Sequence, residues 1–552
     1  MNIKLIEYIK DFLSKNDLDG IVINSTNEFL VEYNKLELNS RYHITDFTGS
    51  TGDVLFTNDK IYLFVDTRYH EQADNEVDKS IVEVVKVPLS KSYLTALEEI
   101  IPSYFKLGII STKVSKKFYE VLEKNLQTKN STIRLFDYDP VEEFRKEEIQ
   151  PVKYNVFKVS EDITGMSADA KFETIKKYAG ETINIVVTSL EDIAYLTNMR
   201  SYDFEYSSVF PAKAVITQET VTVYSDCDIP YIGGHYNIRP LSEFSARLKE
   251  FNREEIFLDD TNLSIHDFKL INQNNKILPS HLRLFKTVKN ENEINHLKHC
   301  FERSDNALKV IYEMINSEQI YSEYDYYEAL VKALKDNGAR ALSFKPIVAS
   351  GANTSIIHYT SPSKEKLVQD GDFLLVDFGG YYEGGYATDT TRTFIKGTPT
   401  PEQKIAYTAV LSAFFNAYLN KYSKKDSYFN IDKKARDTIK KWVNDEEYKF
   451  AHGTGHGVGI SVHENPPRVS SAEAAKTKII ENTVFSIEPG VYKEGWGGVR
   501  LENTVYASIE DDKIVMNSFS HFPFEVKLVN YSDMTEQEKY YYVRWQASSC
   551  IQ

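Results

Sequence analysis

Three imidazoles crowd one short stretch of this sequence: residues 451–464, AHGTGHGVGISVHE, hold His452, His456 and His463, although the chain has only 12 histidines in 552 residues. The intervening glycines rule out helix propensity as the reason for the clustering. They let backbone pass close to a bound group, and imidazole is both a proton carrier near neutral pH and a common metal ligand. Carboxylates recur in matching surroundings. DFLLVDFGGYYEGGYATDTTRTF reads as an apolar strand ending in Asp377, a Gly-rich turn, and a strand over 388–394 carrying Asp389. A carboxylate after four apolar residues is at least partly buried, which is costly without a compensating cation. A hairpin can set the two Asp side by side, and the compensation is then a metal ion or Arg392. TVFSIEPG places Glu488 after an apolar strand and before a Pro-Gly turn. GGVRLENTV places Glu502 in an alternating strand, with Val499, Leu501 and Asn503 on one face and Arg500 and Glu502 on the other.

Four carboxylates with a few imidazoles suit a pair of divalent ions. Their charges balance two M²⁺, and the oxygen-rich donor set favours Mn²⁺ or a similar ion over a thiolate-type zinc site. Two metals about 3.5–4 Å apart can share a bridging water and supply hydroxide at neutral pH, which points to hydrolysis.

Elements must position these groups. From a helical stretch starting near Asn290, with Ile294, Leu297, Leu308, Ile311 and Ile315 at helical intervals, to about residue 510, helices expected over 401–422 and 431–443 alternate with Gly-turned strand pairs. That pattern predicts α+β with antiparallel sheet. Upstream, one unit is read as used twice. IVINSTNEFL (21–30) matches IVVTSLEDIA (185–194) as a strand, a Ser/Thr turn and the start of a helix with an acidic first turn. VLFTNDKIYLFVD (54–66) and AVITQETVTVYSD (214–226) both follow hairpin grammar. A polar boundary falls around 150–165. The expected division is 1–155 and its duplicate 156–284, both α/β, followed by a catalytic domain over 285–552 whose aromatic C-terminal tail packs on it.

Composition narrows the setting. With 65 Lys and Arg against 81 Asp and Glu, the formal net charge of −16 argues against nucleic acid or anionic membrane as partners. Cys227, Cys300 and Cys550 are too few and too far apart for a disulfide framework or zinc ribbon, which fits a reducing compartment. The N-terminal residues read as an amphipathic helix with Ile3, Leu5, Ile6, Ile9 and Phe12 as its apolar set, without the apolar core and cleavage site of a signal peptide. No apolar run approaches a membrane span, so a soluble cytoplasmic protein is expected.

The five residues Asp377, Asp389, His456, Glu488 and Glu502, within VDFGGYYEGGYATDTTRT, HGTGHGVG, SIEPGVY and GVRLEN, resemble in order and setting the ligands of the pita-bread-fold metallopeptidases. That family includes methionine aminopeptidase, prolidase and aminopeptidase P. RYHITDFTGSTGDVLFT, DTRYHEQAD, ITGMSADAK, LEDIAYLTNMRSYDFEYSSVFPA, SFKPIVASGANTSIIHY and GTPTPEQ further resemble the three-domain, cytosolic aminopeptidase P branch, so the likeness spans nearly the whole chain. The resemblance implies two creatinase-N-like domains ahead of a pita-bread domain. It also implies a homodimer formed through the catalytic domain, and removal of the first residue from peptides with proline second. It makes Asp377, Asp389, His456, Glu488 and Glu502 ligands of two ions, most of all Mn²⁺, with Zn²⁺ and Co²⁺ also able to be held. Glu488 would shuttle the proton to the leaving nitrogen. His358 and His463 would contact substrate and stabilise the tetrahedral intermediate, and His452 would stand behind them. Arg68, in DTRY, matches an arginine that reaches substrate, and Arg500 one that organises the metal-site network.

Two departures matter. Asp377 and Asp389 are one residue further apart than is usual in the family, and a bulge within the strand would turn Asp389 to the other face. His456 and His463 are spaced as in two-domain bacterial relatives. Other readings remain: prolidase acting on Xaa-Pro dipeptides, which normally has one N-terminal domain, and a catalytically empty peptide-binding module of the same fold.

Overall fold

The computed structural model describes residues 2–180 and 183–548. The chain forms two compact units. One comprises Met1–Lys158, Met166–Glu205 and Val209–Leu282, and the other Val159–Gly165, Tyr206–Ser208 and Arg283–Gln552.

The first unit contains two six-stranded sheets of identical design. The first runs Val82–Lys86, Ile61–Val65, Asp53–Thr57, Gly20–Ile23, Lys106–Ile110, Thr132–Phe136 from edge to edge. The second runs Tyr236–Arg239, Val221–Tyr224, Lys213–Ile216, Ile185–Val187, Glu255–Leu258, Lys276–Pro279. In both, the three central strands are antiparallel neighbours and the outer pairings are parallel. The expected hairpins are present in both copies, and this shared order and orientation is what a duplicated unit produces. The copies part after their first strand. Leu190–Thr197 is an α-helix capped by Ser189, whereas after Gly20–Ile23 only the 3-10 turn Leu36–Leu38 precedes the next α-helix, Ser40–Thr45. There Leu30 adopts a left-handed backbone (φ 55°), and the first copy's expected helix is absent. The N-terminal helix Ile3–Lys15 buries Leu5, Ile9, Phe12 and Leu13 but leaves Ile3 exposed.

In the second unit every sheet pairing is antiparallel, as its Gly-turned strand pairs implied. Phe373–Phe378 lies between Ile347–Ser350 and Thr390–Ile395. A six-stranded sheet takes in Val484–Ile487, Asn503–Glu510 and Gly455–Gly457, and a separate hairpin pairs Gly490–Lys493 with Gly497–Arg500. The long helix Glu291–Asn316 starts at an Asn290/Glu293 capping box, which satisfies two of its orphan N–H groups reciprocally. Pro401–Tyr418 is capped by Thr400, Pro401 and Gln403, and is buried on nearly all sides because it runs through the core beneath the six-stranded sheet. It ends at Tyr418, four residues short of the expected limit. The aromatic tail packs: Trp545, 5% exposed, meets the rings of Phe414, Tyr418 and Phe524. Among the described residues no helix is long and apolar enough to cross a membrane. Cys227 and Cys300 are free thiols, and Cys550 lies outside the described residues.

Candidate metal centre

The longer turn does not disturb Asp389. Phe373–Phe378 and Thr390–Ile395 pair without a register shift from Phe373↔Ile395 to Phe378↔Thr390. The added residue therefore sits in the loop, outside the ladder. Asp377 faces Thr391, and Asp389 stands two residues before Thr391, so side-chain alternation puts both carboxylates on one face.

The six-stranded sheet supplies the rest. His456 lies in Gly455–Gly457, and Glu488 follows Val484–Ile487 directly. Glu502 falls between Gly497–Arg500 and Asn503–Glu510 rather than inside one alternating strand. Val499, Arg500, Leu501, Glu502 and Asn503 are all buried, so neither face of VRLEN meets solvent. Asp389, His456 and Glu502 each offer a ligand atom within 4.8 Å of the others. His456 Nε2 is 3.5 Å from Asp389 Oδ2 and 3.4 Å from Glu488 Oε1, and its ring meets that of His463 edge-on at 4.5 Å.

The electrostatics are those of a site built for cations. Burial, then repulsion from Glu502, Asp377 and Glu488, lifts Asp389 well above the ordinary carboxylate range. Burial and Glu488 do the same to Glu502. Glu488 is pushed up to about 7, chiefly by burial, with Arg500 working against the rise. Asp377 Oδ1 and Glu502 Oε1 are buried with no hydrogen-bond partner among the described residues. Buried carboxylate oxygens are rarely left so, and an oxygen-rich donor set with spare lone pairs fits divalent ions.

The cation that does reach the cluster is Arg500 rather than Arg392. Arg500 Nη2 donates to Asp377 Oδ2 at 2.6 Å. Arg392 spends its guanidinium on the carbonyls of Thr391, Glu502 and Phe522. From Arg500 a hydrogen-bonded chain runs outward. Its Nη1 donates to the Tyr492 hydroxyl at 2.8 Å, which leaves that hydroxyl's proton for His452 Nε2, also 2.8 Å away. His452 Nδ1 then donates to the Gly453 carbonyl at 2.7 Å. Thr391 Oγ1 donates to Glu502 Oε2 at 2.8 Å. Tyr492 and Thr391 escaped the sequence reading although both lie inside quoted motifs, SIEPGVY and TDTTRT. His358 occupies a turn just after the short 3-10 helix Gly351–Ser355, which follows the strand beside that of Asp377. Arg68 belongs to the first unit, where Nε and Nη2 grip Asp66 at 2.9 and 2.7 Å.

Two repeated α/β domains ahead of an antiparallel catalytic unit with clustered acids define a metallopeptidase of pita-bread type. Residues 295–508 match metallopeptidase family M24, and residues 6–146 and 148–293 each match the creatinase/prolidase N-terminal domain. A probable Xaa-Pro aminopeptidase P of Coprinopsis cinerea is 30% identical over 97% of this chain and 92% of its own. Xaa-Pro aminopeptidase 1 of Dictyostelium discoideum is 29% identical over 97% and 90%. The chain belongs to the Xaa-Pro aminopeptidase P family of M24 metallopeptidases. Its fold matches an X-prolyl aminopeptidase from Caenorhabditis elegans, described as a cytosolic enzyme with a di-nuclear active site, at TM-score 0.90 and 21% identity over 99% of this chain and 95% of that one.

Proposed function

We propose that the chain is a metal-dependent aminopeptidase that hydrolyses the N-terminal Xaa-Pro bond of peptides. The observation that carries this reading is the mutually repelling set of buried Asp377, Asp389 and Glu502 and half-buried Glu488, with His456 at its edge. These five would hold two divalent ions, Mn²⁺ first on the oxygen-rich donors, with Zn²⁺ or Co²⁺ as substitutes. Such ions supply Lewis acidity toward the scissile carbonyl and bring the pKa of water down toward neutrality.

The chain's own groups do the remainder. Glu488 takes the proton from the attacking water and delivers it to the proline nitrogen, which has no N–H of its own and must be protonated to leave. His463, against His456, and His358 donate to the oxyanion of the tetrahedral intermediate. Arg500 fixes one oxygen of Asp377 and leaves the other for ligation, while Tyr492 and His452 hold Arg500 in place. Arg68 is assigned to substrate binding. The chain's functional divisions are then 1–155, 156–284 and 285–552, with a homodimer as the working form and the cytoplasm as its place.

Prolidase activity is the less favoured alternative, because the two complete six-stranded sheets of the first unit exceed the single N-terminal domain of that branch. Purified protein supplied with Mn²⁺ is expected to cleave an Xaa-Pro-Xaa tripeptide. Cleavage restricted to Xaa-Pro dipeptides would establish prolidase, and no turnover of either would sink the enzyme reading. Sedimentation tests the dimer.

A further inference from the structure

Glu323 is fully buried, yet it stands outside the metal cluster and in none of the motifs. It is the first residue of the helix Glu323–Asp336, between Ser322 and Asp325 of its capping box. A negative charge is favoured there, but the helix does not use this carboxylate. Its carboxylate accepts five hydrogen bonds, all from one segment, 350–363. Oε1 accepts from Ser350 N, Ser350 Oγ and Asn353 Nδ2 at 2.7, 2.9 and 2.9 Å. Oε2 accepts from the Tyr359 hydroxyl and Ser363 N at 2.8 and 3.1 Å. The donors lie on both sides of His358, and Asn353 Nδ2 also donates to the Tyr359 hydroxyl at 3.2 Å. The segment is tied at a second point, where Gly498 N, in the hairpin strand that ends in Arg500, donates to Thr354 Oγ1 at 2.7 Å.

We propose that Glu323 is the positioning residue for His358: its carboxylate gathers the 350–363 segment and sets where the imidazole stands. This rests on the role given to His358 above. An anchor serving stability alone needs only one attachment, whereas these five clamp the turn before and after the histidine. An ionised carboxylate suits the task because it only accepts, and every group facing it donates. In Glu323→Gln the tyrosine hydroxyl can reverse and donate elsewhere, but the amide NH₂ then confronts the Ser363 N–H, or the Ser350 and Asn353 donors if it flips. The side-chain volume is kept while the clamp is broken on one side. Misplacing a group near the reacting atoms by about 1 Å costs on the order of 100-fold.

The test uses the metal-loaded full chain and an Xaa-Pro-Xaa tripeptide. Glu323→Gln is expected to lower kcat about 10–100-fold with KM and metal content little changed. Tyr359→Phe, which removes the hydroxyl's bonds to Glu323 and Asn353 and leaves the other four donors on the carboxylate, should lower kcat less, by about 3–10-fold. In a His358→Ala background Glu323→Gln should add less than about threefold, because the residue it positions is gone. An equal loss in both backgrounds would overturn the inference, as would wild-type kcat in both Glu323→Gln and Tyr359→Phe. If Glu323→Gln does not fold, Tyr359→Phe with the same double-mutant comparison decides. Wild-type activity in His358→Ala overturns the role of His358, and the inference with it. An impaired His358→Ala beside an unimpaired Glu323→Gln overturns the positioning role alone.

Discussion

Lys289 and Glu464 form an ion pair at 2.5 Å with each side chain about 2% exposed, and the loop that carries His463 is wrapped around it. Glu464 Oε2 accepts from Ile460 N at 2.9 Å, and a Cβ on Gly459 would stand only 2.3 Å from that oxygen. Lys289→Met removes the hydrogen-bonded cation and leaves the buried carboxylate only Lys286 to offset its charge. Breaking a buried pair from one side costs about 3–5 kcal/mol, since the stranded charge has no water to return to. At about 2–4 °C per kcal/mol for a unit of this size, the catalytic unit should unfold about 6–20 °C lower. Glu464→Gln strands the ammonium and should act similarly, whereas Lys289→Met combined with Glu464→Leu should recover most of the loss. The pH dependence follows from the sign of the shift. Burial raises Glu464, but Lys289 and Lys286 outweigh it and hold the carboxyl below its ordinary value of 4.5. A group lowered on folding contributes fully above its unfolded value, and that contribution is lost as pH falls through the folded one. The Tm gap between wild type and Glu464→Gln should thus be constant at neutral pH and close progressively below about 4.5. Scanning calorimetry at pH 7 and across the acid range measures it. Single variants within about 2 °C of wild type, or a double variant as unstable as the two singles summed, would refute the reasoning.

Glu488→Ala should abolish turnover, a fall of at least about 100-fold, in a protein that stays folded by circular dichroism. Arg500→Met frees Asp377 from its clamp and should lower kcat/KM about 10–100-fold, read with the tripeptide. Tyr492→Phe leaves Arg500 Nη1 and the His452 ring short of a buried partner, which should cost about 1–3 kcal/mol in thermal unfolding. A chelator should remove activity and lower Tm, and Mn²⁺ at about 100 times its Kd should return about 2.7 kcal/mol, or about 5–11 °C.

Short-range grammar made part of this molecule readable. Apolar runs ending in acids marked Asp377 and Glu488 as buried charges, and strand–turn–strand repeats announced a duplicated unit, because burial and turn chemistry act over a few residues. What lacked local pattern stayed hidden. Glu323 works through residues up to 40 positions away, and nothing in SEYDYYEAL distinguishes it from an exposed helix start. Arg392 and Arg500 look alike on alternating strands. Only the packing between sheets turns one to backbone carbonyls and the other to Asp377. The helix expected after residue 25 failed for the same reason: its twin Leu190–Thr197 packs on its own sheet, while in the first copy the chain turns at Leu30.

How the acids are held bears on when the metals act. Four carboxylates driven together would splay apart unless something other than themselves kept the two sheets joined. Besides the two arginines, neutral joints do this: Glu502 N donates to the Thr391 carbonyl at 3.1 Å, Thr393 Oγ1 to the Arg500 carbonyl at 2.9 Å, and Thr504 Oγ1 to the Asp389 carbonyl at 3.0 Å. These bonds use backbone oxygens and leave the carboxylate lone pairs to ions. Beneath them lies an apolar core that includes Phe485, Ile487, Val499, Leu501 and Val505, and it does not depend on metal. In small zinc domains the binding energy is the folding energy. Here a threonine-stitched seam over a large core holds the ligands together beforehand, so metal removal should empty the chemistry and soften the unit without unfolding it.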